Sequence, residues 1–278
     1  MKDIGYYNGK IGELENMQVP MLDRACYFAD GLYEVAYAFG RKVYCLDEHL
    51  DRLWEGCKIV DIKPNFDKTQ LKQIIEKLVQ MLDSPDQQIY VQISRGCGLR
   101  RHEYCNDMSP NLWIMIRGQR VKDMSLPYKL VSMPDERHGY CNVKSLNLLA
   151  NVLASKYAAD CNVDECVLIR DGIVKECSHS SIGLIKGGRL IFPICDQYCL
   201  RGVSREKIAI IGKEMGLCVQ ETDFGLAELY EADEVIVCSS GAPCMRVVSL
   251  DGMKVGGRAT EIVEYIQQQI AKVIRYER

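Results

Sequence analysis

The chain has 278 residues, with 35 Lys plus Arg against 38 Asp plus Glu, and 47% of its residues are hydrophobic. This length and composition exclude a mainly disordered or fibrous protein, because such a chain buries enough surface to fold without disulfides. The net charge of -3 gives no reason to expect a polyanionic partner such as nucleic acid.

The first half of the chain alternates short strands with two helices. Asn8-Gly9 is typical of a two-residue hairpin turn, and Gly40 marks a second hairpin between LYEVAYAF and KVYCL. An acidic first turn predicts a helix over residues 47–57, and an apolar stripe predicts another over 67–82. The segments IYVQISRG and NLWIMIRG predict strands, which makes this half a mixed α+β unit.

Residues 119–127 lose the apolar period and include a proline, so we interpret them as a linker between domains 1–118 and 128–278. The second half contains further helices, two hairpins and the strand EVIVCSS. The helices are predicted over 146–159, 204–215 and 259–276, and the hairpins turn at Asp171-Gly172 and Gly187-Gly188. No internal repeat is visible.

The 14 cysteines run from Cys26 to Cys244 without a CxxC pair, and several lie inside apolar runs. The nearest approach is Cys195 and Cys199. This pattern favours free thiols packed in the core in a reducing cytoplasm, and it disfavours a metal site. The sequence lacks a basic-then-apolar leader and an apolar run of about 18 residues, so we expect a cytoplasmic protein without a membrane span.

Several residues carry functional chemistry at the ends of predicted elements. Lys144 precedes a helix in NVKSLNLLANVLA, and a lysine that loses its proton can form a Schiff base. Glu176 ends a strand, and Arg52 lies on a short helix. Backbone N–H groups at a helix start bind anions. Val203 and Ser204 lie at such a helix start. Ser239 and Ser240 provide a pair of hydroxyls after a strand.

Seven segments occur in one order: DRACYFADGLYE, DEHLDRL, VKSLNLLANVLA, GIVKECSHSS, LRGVSR, EADEVIVCSS and SLDG. Together they resemble the class IV, fold-type IV aminotransferases, which use pyridoxal 5'-phosphate, and the resemblance covers nearly the whole chain. It implies a two-domain α/β (α+β) fold, with a smaller N-terminal α/β domain and a larger C-terminal domain built on a mixed sheet or barrel. It also implies a homodimer with the cofactor in the cleft between the domains.

The resemblance assigns a role to each motif residue. Lys144 forms the internal aldimine with the cofactor, and Glu176 pairs with the pyridine nitrogen. Leu200 lies against the cofactor ring. The phosphate is held by the side chain or backbone of Arg52, Val203, Ser204 and Ser240, with Ser239 beside them. An acid at the ring nitrogen keeps the ring able to absorb the electrons released at Cα.

The segment SRGCGLRRHEY discriminates between members of the family. If residues 100–102 are extended, Arg100 and His102 point to the same side and form a cationic clamp for a carboxylate. With Tyr33, this pair resembles the carboxylate trap of D-amino acid aminotransferases. The substrates implied are a D-amino acid (D-alanine, D-glutamate or D-aspartate) and a 2-oxo acid such as 2-oxoglutarate or pyruvate.

Other activities stay open at this level. They are a branched-chain L-amino acid aminotransferase, an aminodeoxychorismate lyase, and a catalytically silent relative. The chain departs from the family pattern at His179, within CSHSS, and at Arg246, where the family commonly has proline. Both departures bear on the side chain of the substrate more than on the cofactor.

Overall fold

The structure is a computed structural model that describes residues 3–276, with side chains up to residue 274. The chain divides into two compact units. The N-terminal unit comprises residues up to 120 together with 143–147 and the end of the chain from 274, and the C-terminal unit comprises 121–142 and 148–273. The short segment that carries Lys144 therefore lies with the N-terminal unit.

The N-terminal unit contains one antiparallel sheet of six strands in the order β2-β1-β6-β5-β3-β4. The first hairpin turns at Asn8 and Gly9 with φ of 45° and 94°, which is the left-handed backbone that Asn-Gly predicts. The strands are β1 (Asp3–Tyr7), β2 (Lys10–Glu13), β3 (Gly31–Phe39), β4 (Lys42–Val43), β5 (Gln87–Ser94) and β6 (Asn111–Gly118).

Two long helices pack their apolar stripes into one core with this sheet. Asp67 caps the second helix by accepting from the Gln70 N–H at 2.7 Å, and Gln70 accepts in return from the Asp67 N–H at 2.8 Å. Each fully buried Leu or Ile in this core contributes about 1.5 to 3 kcal/mol. The helices are α1 (Ala25–Phe28), α2 (Leu46–Ile59) and α3 (Lys68–Met81), and a 3-10 turn covers Leu14–Asn16.

The segment 143–147 pairs with the start of β3. The Tyr33 N–H donates to the Lys144 carbonyl at 2.9 Å, and the Leu146 N–H donates to the Gly31 carbonyl at 3.1 Å. A Cβ at Gly31 would lie 2.7 Å from the Ile93 carbonyl oxygen, so only glycine fits there. These backbone bonds fix the position of Lys144 against β3.

The C-terminal unit contains a mixed sheet of nine strands, which curls into a half-barrel. Its path is β12-β11-β10-β13-β14-β7-β8-β9, with β15 paired to β14, and three of the pairs are parallel. The strands are β7 (Tyr128–Pro134), β8 (Glu165–Arg170), β9 (Ile173–Cys177), β10 (Ser181–Lys186), β11 (Arg189–Phe192), β12 (Cys218–Glu221), β13 (Glu234–Ser239), β14 (Ala242–Leu250) and β15 (Met253–Lys254).

Four further helices follow, and one begins later than the sequence predicts. The helix expected from residue 146 starts at Leu149, because the preceding residues bend and form backbone hydrogen bonds with the start of β3. Its buried residues are Ala154 and Ala158, whereas Leu149 and Leu153 are exposed. The helices are α4 (Leu149–Asp160), α5 (Val203–Glu214), α6 (Leu226–Glu231) and α7 (Thr260–Tyr276).

All 14 cysteines are free thiols, and seven of them are buried. Burial raises the pKa of Cys238 to about 12 and that of Cys177 well above its ordinary value. Those buried thiols pack as small apolar side chains, as the sequence suggests. Within residues 3–276, the helices are all too short or too polar to cross a membrane.

Candidate functional site

Lys144 lies beside a pair of stacked tyrosines. Its Nζ is 4.2 Å from the centroid of the Tyr33 ring, within the range of a cation–π interaction. The Tyr33 ring stacks on Tyr90 with centroids 5.6 Å apart and an interplanar angle of 21°. Burial raises the pKa of Tyr90, and its hydroxyl donates to Gln92 Oε1 at 2.7 Å. The lysine amine is thus held at an aromatic face by a rigid pair of strands.

Arg52 is held by a buried carboxylate. Its Nε donates to Glu34 Oε1 at 2.7 Å and its Nη2 donates to Glu34 Oε2 at 2.8 Å. Arg52 and His49 are three residues apart on α2 and so share one side of the helix, and His49 Nδ1 lies 2.7 Å from Glu34 Oε2. Burial alone would raise the pKa of Glu34, but Arg52 and His49 lower it to about 2.

Arg100 and His102 lie on the same aromatic ring. The Arg100 guanidinium is 5.2 Å from the Phe28 centroid, and the His102 ring is 5.0 Å from it. Arg24 fixes the loop by donating to the His102 carbonyl at 3.2 Å. Residues 100–102 lie in a bend outside any strand, and both side chains are exposed. In the described part of the chain, no hydrogen bond or ring contact joins them to Tyr33.

Glu176 is the penultimate residue of β9, and two groups hydrogen-bond to its carboxylate. Arg137 Nη1 donates to Glu176 Oε1, and the Leu200 N–H donates to Glu176 Oε2 at 3.2 Å. Arg137 also holds Asp135 through two bonds of 2.9 Å and donates to the Tyr198 carbonyl at 2.9 Å. Burial opposes the charge on Arg137, but its two carboxylate partners raise its pKa above the ordinary value.

The start of α5 presents its first-turn backbone N–H groups without a side-chain cap. Gly202 is the N-cap, and a Cβ at this position would lie 2.6 Å from Ser181 Oγ, so a larger residue would be crowded. Val203 and Ser204 follow as the first helical residues, and a helix N-terminus of this kind suits an anion. Ser239 ends β13, and Ser240 lies in the half-buried turn that follows.

The departure at His179 has a structural partner. His179 Nδ1 lies 3.0 Å from Oε2 of the buried Glu165, and Ser180 Oγ donates to the same oxygen at 2.6 Å. Burial raises the pKa of Glu165, but His179 and the serine hydroxyls outweigh it and lower that pKa. His179 itself is exposed, whereas Arg246 is half-buried on β14.

The sequence analysis missed the residues that hold Arg52 and Glu176. Glu34, His49 and Arg137 are buried polar side chains to which the sequence alone assigned no role. The usable signal for Glu34 was a carboxylate inside the apolar strand GLYEVAYAF. For Arg137 the signal was an Asp-x-Arg pair directly after the apolar run YKLVSMP. Buried charges are rare unless they are paired, so a charged residue at such a position predicts an oppositely charged partner.

A family model and known proteins match most of this chain. A family model described as "Amino-transferase class IV" matches residues 31–250. A D-alanine aminotransferase of Listeria monocytogenes serotype 4b (strain F2365) is 32% identical over 273 residues, which cover 96% of this chain and 94% of the relative.

Two solved structures share the fold. The branched-chain amino acid aminotransferase of Escherichia coli superposes with a TM-score of 0.90 at 20% identity, covering 99% of this chain and 95% of that chain. The branched-chain amino acid aminotransferase of Thermoproteus uzoniensis, solved with norvaline, gives 0.89 at 19% identity, covering 98% of this chain and 94% of that chain. The α/β fold expected from the sequence is thereby confirmed.

Proposed function

Because this chain belongs to the class IV aminotransferases, we propose that it moves the amino group between a D-amino acid and a 2-oxo acid with pyridoxal 5'-phosphate. The observation that supports the D-amino acid is the 32% identity to a D-alanine aminotransferase over 96% of the chain. D-Alanine is the first donor to test, followed by D-glutamate and D-aspartate. The 2-oxo acid is 2-oxoglutarate or pyruvate.

The chemistry of the described side chains fits this cofactor. Glu176 is a charged carboxylate positioned by Arg137, which suits a protonated ring nitrogen. Arg52 is a guanidinium oriented by Glu34, which suits a phosphate. The phosphate would also be held by Val203, Ser204, Ser239 and Ser240, and Leu200 would lie against the ring. When bound, the cofactor supplies an electron sink for the pair left at the substrate Cα.

The chain's own residues perform the proton transfers. Lys144 would hold the cofactor through its Nζ and would take the proton from the substrate Cα. Glu176 would pair with the ring nitrogen, and Arg137 positions the Glu176 carboxylate. The stacked Tyr33 and Tyr90 limit the movement of the Lys144 amine.

Arg100, His102 and Tyr33 would bind the substrate α-carboxylate. The Arg100 guanidinium and the His102 ring lie against one aromatic ring on an exposed surface, which a carboxylate can reach. The position of this clamp decides which enantiomer directs its Cα–H at Lys144, so it would select the D hand. We also propose that the enzyme is a homodimer, as its resemblance to the family implies, and that it is cytoplasmic, as the cysteine pattern of the sequence favours.

The decisive experiment compares half reactions. The protein loaded with pyridoxal 5'-phosphate is mixed with D-alanine or with L-leucine, and the absorbance of the bound cofactor is followed. We expect D-alanine to change the spectrum and 2-oxoglutarate to restore it. The fold shared with branched-chain enzymes makes L-leucine the relevant competitor. A response to L-leucine alone would assign the branched-chain activity and reject the D-amino acid.

Lys144→Ala tests the attachment of the cofactor. The variant should lose turnover by at least about 10³-fold, because both the nucleophile and the base are removed. Borohydride reduction followed by peptide mass analysis should find the cofactor on Lys144 in the parent protein. Lys156→Ala changes an exposed lysine on α4 and is the matched control, which should keep full activity. Label on another lysine would reject the assignment.

Arg100→Ala tests the clamp. Removal of one charge-assisted contact should raise the KM for D-alanine about tenfold or more with a smaller change in kcat. Arg101→Ala is the control, since Arg101 is the neighbouring exposed arginine that the clamp does not use. An equal effect of both variants would mean that only the general positive charge of the loop matters.

A further inference from the structure

Two cysteines of the C-terminal unit lie in contact beside a buried arginine. Cys195 and Cys199 belong to the loop between β11 and α5, and their Sγ atoms are 3.7 Å apart. Arg205, in the first turn of α5, is only 1% exposed. Its Nη1 lies 2.7 Å from Cys195 Sγ and 3.8 Å from Cys199 Sγ. The sulfur pair and the guanidinium form a cluster that we call the dithiol site.

The arginine of the dithiol site has a carboxylate beside it but is not fully hydrogen-bonded. Its Nη2 lies 3.2 Å from Glu221 Oε1, yet in the described part of the chain this nitrogen has no hydrogen-bond partner. Its guanidinium also lies 4.9 Å from the Phe192 ring centroid. A buried charge needs close partners. A thiolate at Cys195 supplies one, because the shortest contact of Arg205 is to that sulfur.

We propose that Cys195 and Cys199 form a peroxide-reactive dithiol, in which Cys195 is oxidised first and Cys199 then closes a disulfide. The observation that carries this proposal is the contact of both sulfur atoms with each other and with the buried Arg205.

The two thiols are unequal in the way this reaction requires. The hydrogen bond from Cys199 lowers the pKa of Cys195, and Arg205 lowers it further, against the effect of burial. The same hydrogen bond raises the pKa of Cys199, and burial raises it further. Cys195 is therefore the thiol that loses its proton more readily. A thiolate is the nucleophilic form of cysteine.

The oxidation proceeds in two balanced steps with hydrogen peroxide as the oxidant. The Cys195 thiolate attacks one peroxide oxygen, an S–O bond forms, the O–O bond breaks, and the leaving hydroxide takes a proton to become water. The Cys199 sulfur then attacks the Cys195 sulfenic acid. An S–S bond forms, the S–O bond breaks, and the hydroxyl leaves with the Cys199 proton as a second water. The thiols lose two electrons, and one peroxide becomes two waters.

The disulfide would act on the loop that leads into the proposed cofactor site. Leu200 directly follows Cys199, and its N–H donates to Glu176. A bond between the two sulfur atoms restrains this backbone and shifts the start of α5. Oxidation should therefore lower activity reversibly, a consequence that rests on the proposed function. The chemistry at the sulfur atoms does not depend on it.

The experiment uses the cofactor-loaded protein and reads the peptide mass. Trypsin cleaves after Arg189 and Arg201, so both cysteines lie in one peptide, LIFPICDQYCLR. After brief treatment with hydrogen peroxide and alkylation of the remaining thiols, this peptide should be unalkylated and lighter by two hydrogens. Dithiothreitol should restore two alkylated sites. In Cys199→Ser, where the disulfide cannot form, dimedone should label Cys195.

A matched control and a contrary outcome complete the test. Cys218→Ser removes an exposed thiol outside the dithiol site and should leave peptide oxidation unchanged. The proposal is overturned if Cys26, Cys97 or Cys105 is labelled by dimedone while the peptide stays fully alkylated. Because the readout is a mass, a protein without aminotransferase activity would still report on the dithiol site, so failure of one proposal is distinguishable from failure of the other.

Discussion

The two units hold their key charged residues in opposite ways. In the N-terminal unit, one buried carboxylate serves two cationic partners: the Glu34 side chain is 2% exposed, whereas its partner Arg52 is 16% exposed. In the C-terminal unit, one buried arginine serves two carboxylates: the Arg137 side chain is 3% exposed, whereas its partner Glu176 is 11% exposed.

In each case the more buried ion orients the more accessible one. Under the proposed function, Glu34 would therefore orient a cation for the cofactor phosphate, and Arg137 would orient an anion for the ring nitrogen. A charge fixed by its partner before a ligand arrives needs no reorganisation on binding. Arg52 and Glu176, which have assigned roles, are therefore oriented by residues to which the sequence motifs assign none.

The largest effect is expected from Arg137→Met. The substitution removes the bonds of Arg137 to both Glu176 and Asp135, and breaking a buried ion pair costs about 3 to 5 kcal/mol. Urea unfolding should show a loss of free energy of unfolding in this range. Arg170→Met is the control, because Arg170 is more exposed and reaches Asp135 at 3.3 Å, so it should cost clearly less. Equal losses would mean that Arg137 is not the central ion.

Glu34→Gln should have the next largest effect. It leaves Arg52 and His49 without their carboxylate, at a cost of about 3 kcal/mol. The affinity for pyridoxal 5'-phosphate, measured by fluorescence titration, should fall with it, because Arg52 loses its orientation. Glu55→Gln, in an exposed pair with Lys58, is the matched control. A stable variant with unchanged cofactor affinity would contradict the role given to Glu34.

The contribution of Glu34 to the free energy of unfolding should depend on pH. The pKa of Glu34 is lowered from 4.5 to about 2 in the folded chain, so its contribution to stability is complete above about pH 4.5 and is lost as the pH falls towards 2. The difference in free energy of unfolding between the parent and Glu34→Gln should therefore shrink across this window. Urea titrations at several pH values measure it, and a constant difference would refute the assigned cause.

The smallest effect is expected at the surface. Lys72 on α3 pairs with Asp47 on α2 at 2.8 Å, but both side chains are well exposed. Lys72→Met should change the free energy of unfolding by at most about 1 kcal/mol, since solvent screens such pairs. A loss as large as that of Glu34→Gln would show that burial is not what separates the two classes of ion pair.

Local sequence patterns predicted the hairpins and helix α3 well. Asn8-Gly9 and Asp171-Gly172 turn where expected, because a left-handed backbone is a local property of these residues. Residues 111–118 form a strand with the predicted bounds. The predicted start of α4 was wrong, since the conformation of 143–147 depends on pairing with β3, which lies far away in the sequence.

In the candidate site, only the residues found through sequence motifs could be predicted. Lys144, Arg52 and Glu176 were found through ordered segments, and their catalytic and binding roles stay predictions. Their supporting partners were not found, because Arg137 and Glu176 are 39 residues apart and meet only in the folded chain. Pairing of this kind leaves no periodic signal. It has to be sought from polar residues placed within apolar runs.

The pairing of 143–147 with β3 has a consequence for the order of folding during synthesis. The first 120 residues emerge from the ribosome without the segment that binds the start of β3. Until residue 147 is made, the Tyr33 N–H and the Gly31 carbonyl lack these partners. The N-terminal unit thus cannot be completed before residues 121–142 of the other unit have been synthesised, so Lys144 reaches its place only when about half of the chain has been made.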